Sequence, residues 1–187
     1  MGTDAGDFWQ GGGGIYTGDG GALTLIGSSV TANAAAWSGG GIYSFFNTTT
    51  VIDGSVIANN VSNDVGGGLR LLGNATITDS TISGNQSTGW YGGAAFITDG
   101  TVDMSNVTIV DNVSPDYAPA AVFVGTFGPS SATLNLQDSV VANNLFEGCF
   151  LAPFGAGPVA INSLCGNVFT DYTCFPGPDD EVVAEWP

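Results

Sequence analysis

The sequence predicts an all-β chain wound as a parallel β-solenoid of about six coils, 26–27 residues each, with three short strands per coil. Three observations carry the prediction. Glycine fills 30 of 187 positions while 43% of the residues are hydrophobic, a mixture too apolar for a disordered chain. A small-small-apolar signature recurs five times at nearly constant spacing. A second signature follows each copy about 17 residues later, and two signatures holding register across five units mark a repeat architecture.

The first signature reads Gly13-Gly14-Ile15-Tyr16, Gly40-Gly41-Ile42-Tyr43, Gly67-Gly68-Leu69-Arg70, Gly93-Ala94-Ala95-Phe96 and Ala120-Ala121-Val122-Phe123. From Ile15 through Ile42, Leu69 and Ala95 to Val122 the spacings are 27, 27, 26 and 27. Its paired glycines suit a bend where a Cβ would collide or φ must be positive. A short alternating stretch comes next, as in Leu23-Thr24-Leu25 or Ala75-Thr76-Ile77. Side chains of a strand alternate faces, which places Leu25, Val51, Ile77 and Met104 in one inward column. The second signature runs Ser29-Val30 to Asn33, Ser55-Val56 to Asn59, Thr81-Ile82 to Asn85, Thr108-Ile109 to Asn112 and Ser139-Val140 to Asn143. Val30, Val56, Ile82, Ile109 and Val140 form the second inward column. Asn33, Asn59, Asn85, Asn112 and Asn143 are read as a structural ladder, each amide bonding the neighbouring coil at a turn. Coils in such a stack lie about 4.8 Å apart.

By this reading residues 1–9 precede the repeats, 10–148 are the β-helix, 149–178 form an irregular C-terminal coil, and 179–187 an acidic, apolar tail. The opening residues lack the basic and apolar regions of a signal peptide, and no apolar run is long enough to span a membrane as a helix.

Gly-Gly-Gly-Ile-Tyr openings with Ser/Thr-Val/Ile-x-x-Asn resemble the repeats of right-handed parallel β-helix surface proteins of bacteria. These include the polymorphic outer-membrane protein type and exported proteins of the choice-of-anchor type. Gly148-Cys149, Ser163-Leu164-Cys165-Gly166-Asn167 and Asp171 to Cys174 are similar to the closing pattern of the latter, with Cys165 as the departure. The resemblance covers about residues 10 to 175. It implies a right-handed helix, a Cys149–Cys174 disulfide with Cys165 left over, and a secreted or cell-surface location.

Charge removes whole classes of function. The chain has 17 acidic residues, one arginine, no lysine and no histidine, for a net charge of −16. Nucleic acids and anionic membrane surfaces are excluded as partners, since both are gripped by Lys and Arg. Histidine bases and ligands and lysine nucleophiles have no residue to act. The expectation is a non-enzymatic structural or adhesive module without cofactor. Calcium is only weakly signalled, by Asp179-Asp180-Glu181 and Asp residues along bends, with no spaced calcium-loop motif.

Several further readings attach to particular residues. Arg70 is expected to face outward among Tyr16 and Tyr43. Asp53 and Asp79 are read as equivalent positions one coil apart, the separation a carboxylate pair would need for glycoside hydrolysis. Thr24, Thr50 and Thr76 form an outward threonine column that ends at Asp103. Asn47, Asn60, Asn74 and Asn106 head Asn-x-Ser/Thr sequons and are glycosylation candidates. Phe8, Trp9, Val182, Val183 and Trp186 are candidates for self-association, end to end or by strand exchange, into a filament or layer. The alternative function is carbohydrate binding or cleavage along a groove lined by Tyr16, Tyr43, Trp37, Trp90 and Tyr91.

Overall fold

A computed structural model describes residues 11–118 and 120–184. Among them every regular element is a strand, and every strand pairing is parallel. Three walls result. The first stacks Ile15–Thr17, Ile42–Ser44, Leu69–Leu72, the start of Ala95–Ser105, Val122–Thr126 and Cys149–Pro153. A second stacks Ala22–Ile26, Thr49–Asp53, Asn74–Thr78, the end of Ala95–Ser105, Ala132–Gln137 and Val159–Cys165. The third runs from Ser29–Thr31 to Val168–Phe169 and finishes on Glu181–Val182. A small fourth sheet, Ala34–Ala35, Val61–Ser62 and Gln86–Ser87, closes the turn back to the first wall.

The predicted first column is observed: Ile15, Ile42, Leu69, Ala95 and Val122 are partners in sequence, and Cys149 extends them. In the other two walls the second and fifth coils are read one residue out of frame. The second-wall column is Leu25, Ile52, Ile77 and Met104. Ile52 is fully buried and Val51 faces out beside Thr24 and Thr76. Thr50 points inward and is buried, so the expected threonine column does not exist. In the third wall Ile57 and Val141 fill the core, while Val56 is 40% exposed and Val140 is half-buried.

The same slip moves the ladder. Asn33, Asn60, Asn85, Asn112 and Asn144 form it, with each side-chain oxygen accepting from the asparagine one coil earlier at 2.9–3.0 Å. Asn59 and Asn143 instead occupy turn positions with φ near +50°, in one column with Ala32, Gly84 and Asp111. Asparagine and glycine tolerate that left-handed conformation. A second, unpredicted ladder runs beside the first: Ser28 N–H donates to Ser55 Oγ, Ser55 N–H to Ser80 Oγ, Val107 N–H to Ser139 Oγ, Ser139 N–H to Asn167 and Asn167 N–H to Asp180.

Two kinds of glycine make the sharp return to the first wall. Gly39 has φ +66°, whereas Gly40 is there for space: a Cβ would sit 2.3 Å from the Gly67 carbonyl oxygen and 2.5 Å from the Val61 backbone. Residues 149–169 are regular, in three strands, and 170–178 carry no strand. The three strands complete a sixth coil in register with the fifth, apart from one bulge near Gln137, and Cys149 and Cys174 are joined by a disulfide. Cys165 is free and half-buried.

Candidate functional site

On the outer face of the first wall the residues next to the inward column stack as Tyr16, Tyr43, Arg70, Phe96, Phe123 and Phe150. Parallel pairing without register shift forces this, because each coil adds one residue to the same column. Phe96 and Phe123 stack 4.2 Å apart, and Tyr91 lies over Phe150 at 4.9 Å. The only cation of the chain therefore stands inside an aromatic ladder.

A cleft forms over Arg70 because the corners between the first and second walls differ in length. Residues 18–21 and 45–48 make four-residue corners in the first two coils. The third coil turns with Gly73 alone, and in the fourth a single strand, Ala95–Ser105, runs through both walls. Five-residue corners, 127–131 and 154–158, project again from the fifth and sixth. Two cut-back coils between projecting neighbours leave a trough about 10 Å wide at the usual coil spacing. Phe46 stands on one lip, Phe127 and Phe154 on the other, their rings 5.7 Å apart.

Three adjoining hollows fill the trough. The first, of about 400 Å³, is lined by Asp64, Arg70, Trp90, Tyr91, Phe96, Phe127 and Phe154. A second, of about 450 Å³, shares Asp64, Arg70 and Phe127 with it and adds Tyr43 and Asp99. The third, of about 560 Å³, continues from Asp99 across Asn47, Thr49, Asn74 and Ser130. One end is thus aromatic and the other polar.

Arg70 lies at the centre. Its guanidinium carbon is 4.4 Å from the Phe96 ring centroid, a cation–π distance. The residue is half-buried overall, but Nε and Nη1 are shielded and have no hydrogen-bond partner. Burial pulls the guanidinium below its ordinary pKa, opposed by Tyr43, Asp64 and Asp99. Burial likewise raises the Tyr43 phenol, and Arg70 acts against that rise. Asp64 accepts from Ser38 Oγ at 3.2 Å.

A family model for the right-handed β-helix region matches residues 7–171. The chain belongs to that family. Neither a comparison with curated proteins nor one with solved structures returned a match. Membership in the right-handed β-helix family sets the winding and leaves function to the site itself.

The expected site residues separate into groups. Arg70 faces outward as expected, and Tyr43, Trp90 and Tyr91 line the cleft with it. Tyr16 and Trp37 are exposed but outside the lining. Asp64, Asp99, Phe96, Phe127 and Phe154 escaped the sequence reading; the outer column next to Ala95 was the signal for Phe96, and the varying corner length between walls the signal for Asp99, Phe127 and Phe154. Asp53 and Asp79 are not equivalent. Asp53 pairs with Thr78, whose hydroxyl donates to it at 2.7 Å, while Asp79 sits at φ +50° in a turn column with Gly54 and Asn106.

Asn60 is fully buried in the ladder and cannot carry a glycan in this fold; Asn47, Asn74 and Asn106 are exposed. Among the described residues no three acidic or sulfur side chains gather as a metal site. The Asp180 carboxylate turns inward to Ser163 Oγ and the backbone N–H groups of Asn167 and Gly177. Val182 pairs with Phe169 and Val183 N–H donates to the Phe169 carbonyl, so both are engaged within the solenoid. Phe8, Trp9 and Trp186 lie outside the described residues.

Proposed function

We propose that this protein is an extracellular, non-enzymatic adhesive β-helix that holds an extended glycan in the cleft across its third and fourth coils. The observation that carries the reading is the trough itself: exposed rings of Trp90, Phe127 and Phe154 at one end, hydroxyl and amide groups at the other, and the carboxylates of Asp64 and Asp99 beside Arg70 between. Aromatic faces bind the C–H faces of sugars, and a few placed polar groups orient them. A disulfide in a chain with abundant small polar residues suits an oxidising, extracellular setting. Without histidine or lysine, and with Asp53 and Asp79 in non-equivalent positions, binding accounts for the site better than turnover.

An oligosaccharide array with the wild type and a Phe127→Ala/Phe154→Ala variant tests this. Retention of linear glycans by the wild type and loss in the variant are expected. Equal retention by both places the ligand elsewhere, and release of shortened products replaces adhesion with catalysis.

End-to-end association is a second reading, favoured by the half-buried Ile15, Leu23 and Leu25 of the first coil. Sedimentation velocity decides it: a concentration-dependent rise in mass supports it, and a constant 18.8 kDa species rejects it.

A further inference from the structure

The charges around Arg70 narrow the kind of glycan. We infer that the cleft takes neutral sugars and discriminates against uronic, sialylated or sulfated ones, an inference that rests on the glycan-binding reading above. A lone arginine in an aromatic pocket looks at first like an anion receptor, because a guanidinium fits a carboxylate or sulfate. The surroundings oppose that. Asp64 and Asp99 line the same trough and both act electrostatically on Arg70. The cleft therefore carries two carboxylates against one guanidinium, within a chain of net charge −16. An anionic sugar approaching it meets repulsion from the whole molecule and from both flanks of the cation.

A neutral sugar meets complementary groups. Nε and Nη1 of Arg70 are shielded from the cleft, so neither is open to a ligand carboxylate or sulfate. The carboxylates accept from sugar hydroxyls. Phe96, already against the guanidinium at 4.4 Å, holds its plane. Arg70 acts here through a charge that Asp64 and Asp99 offset locally, and not as a donor to the ligand.

The test is binding of folded protein, by calorimetry, to neutral oligosaccharides (cello-, manno- and xylo-oligomers), to oligogalacturonate and to chitosan oligomers, from about 50 to 500 mM NaCl, a range over which exposed charge attraction is screened. Wild type and Arg70→Gln are compared, circular dichroism confirming the fold of each. The expected result is binding of at least one neutral series that changes less than about twofold across the salt range. Arg70→Gln, which keeps an amide donor but loses the charge, is expected to retain that binding within about tenfold. Tighter binding of oligogalacturonate, weakening with salt and abolished in Arg70→Gln, would overturn the inference while leaving the cleft a glycan site. Salt-resistant preference for chitosan overturns it equally. No binding to any series removes the glycan reading and this inference together.

Discussion

Replacing Asn85 with alanine removes four side-chain hydrogen bonds from the middle of the solenoid. Asn85 Nδ2 donates to the Ile57 carbonyl at 2.9 Å and to Asn112 Oδ1 at 3.0 Å, and its Oδ1 accepts from Asn60 N–H at 3.0 Å and Asn60 Nδ2 at 2.9 Å. Asn60, Asn85 and Asn112 are all fully buried, so water cannot take the vacated places. At about 1 kcal/mol per buried hydrogen bond the loss is about 4 kcal/mol. That is a large fraction of the roughly 5–15 kcal/mol that stabilises a domain, and it corresponds to a fall in Tm of about 8–16 °C for a chain of this length. Asn59→Ala is the matched control. Asn59 is exposed and sits at φ +55°, so its loss costs about 1 kcal/mol of left-handed backbone preference. Urea unfolding followed by circular dichroism at equal protein concentration measures both. If Asn85→Ala costs no more than Asn59→Ala, the ladder is not what joins neighbouring coils.

Three further outcomes are expected. Gly40→Ala drives a methyl to 2.3 Å from the Gly67 carbonyl and should cost about 3 kcal/mol or more; Gly18→Ala, whose nearest neighbour would be 3.8 Å away, should stay within about 0.5 kcal/mol in the same melts. Reducing Cys149–Cys174, which spans 25 residues, should lower stability by about 3.5 kcal/mol on the loop-closure model, whereas Cys165→Ser should leave the response to reductant unchanged. Asp180 responds to acid. Burial pushes its carboxyl up, but hydrogen bonds from Ser163, Asn167 and Gly177 outweigh this and hold it below the ordinary value of 3.8. A depressed folded pKa contributes stability above the unfolded value that is lost as pH falls through the folded one. Asp180→Asn should therefore lower stability near neutrality and flatten its decline below about pH 4.

The architecture and the first column were legible because a small-small-apolar signature occurs once in each of the first five coils and admits one frame. Frame was lost in the second and fifth coils, where Val56-Ile57 with Asn59-Asn60, and Val140-Val141 with Asn143-Asn144, satisfy either alignment. A slip of one residue exchanges core and surface, which is why a buried Asn60 read as a glycan acceptor and an outward Val51 read as core. The serines at 28, 55, 80 and 139 would have resolved the frame, since each stands two residues before the true inward residue and five before the ladder asparagine. The cleft was less legible. Arg70 and its aromatic neighbours follow from the column, but Asp99, Phe127 and Phe154 meet there only because corner lengths vary, and that becomes visible once both walls are in frame; Asp64 enters from the turn before the first wall.

A crystal structure of the protein soaked with the tightest-binding neutral oligosaccharide tests the central claim most directly. The account predicts sugar density along the trough between Phe46 and Phe127, with rings against Phe127 or Trp90 and a hydroxyl within hydrogen-bond distance of the Asp64 or Asp99 carboxylate. Sugar seated on the second or third wall, with the trough empty, would contradict it.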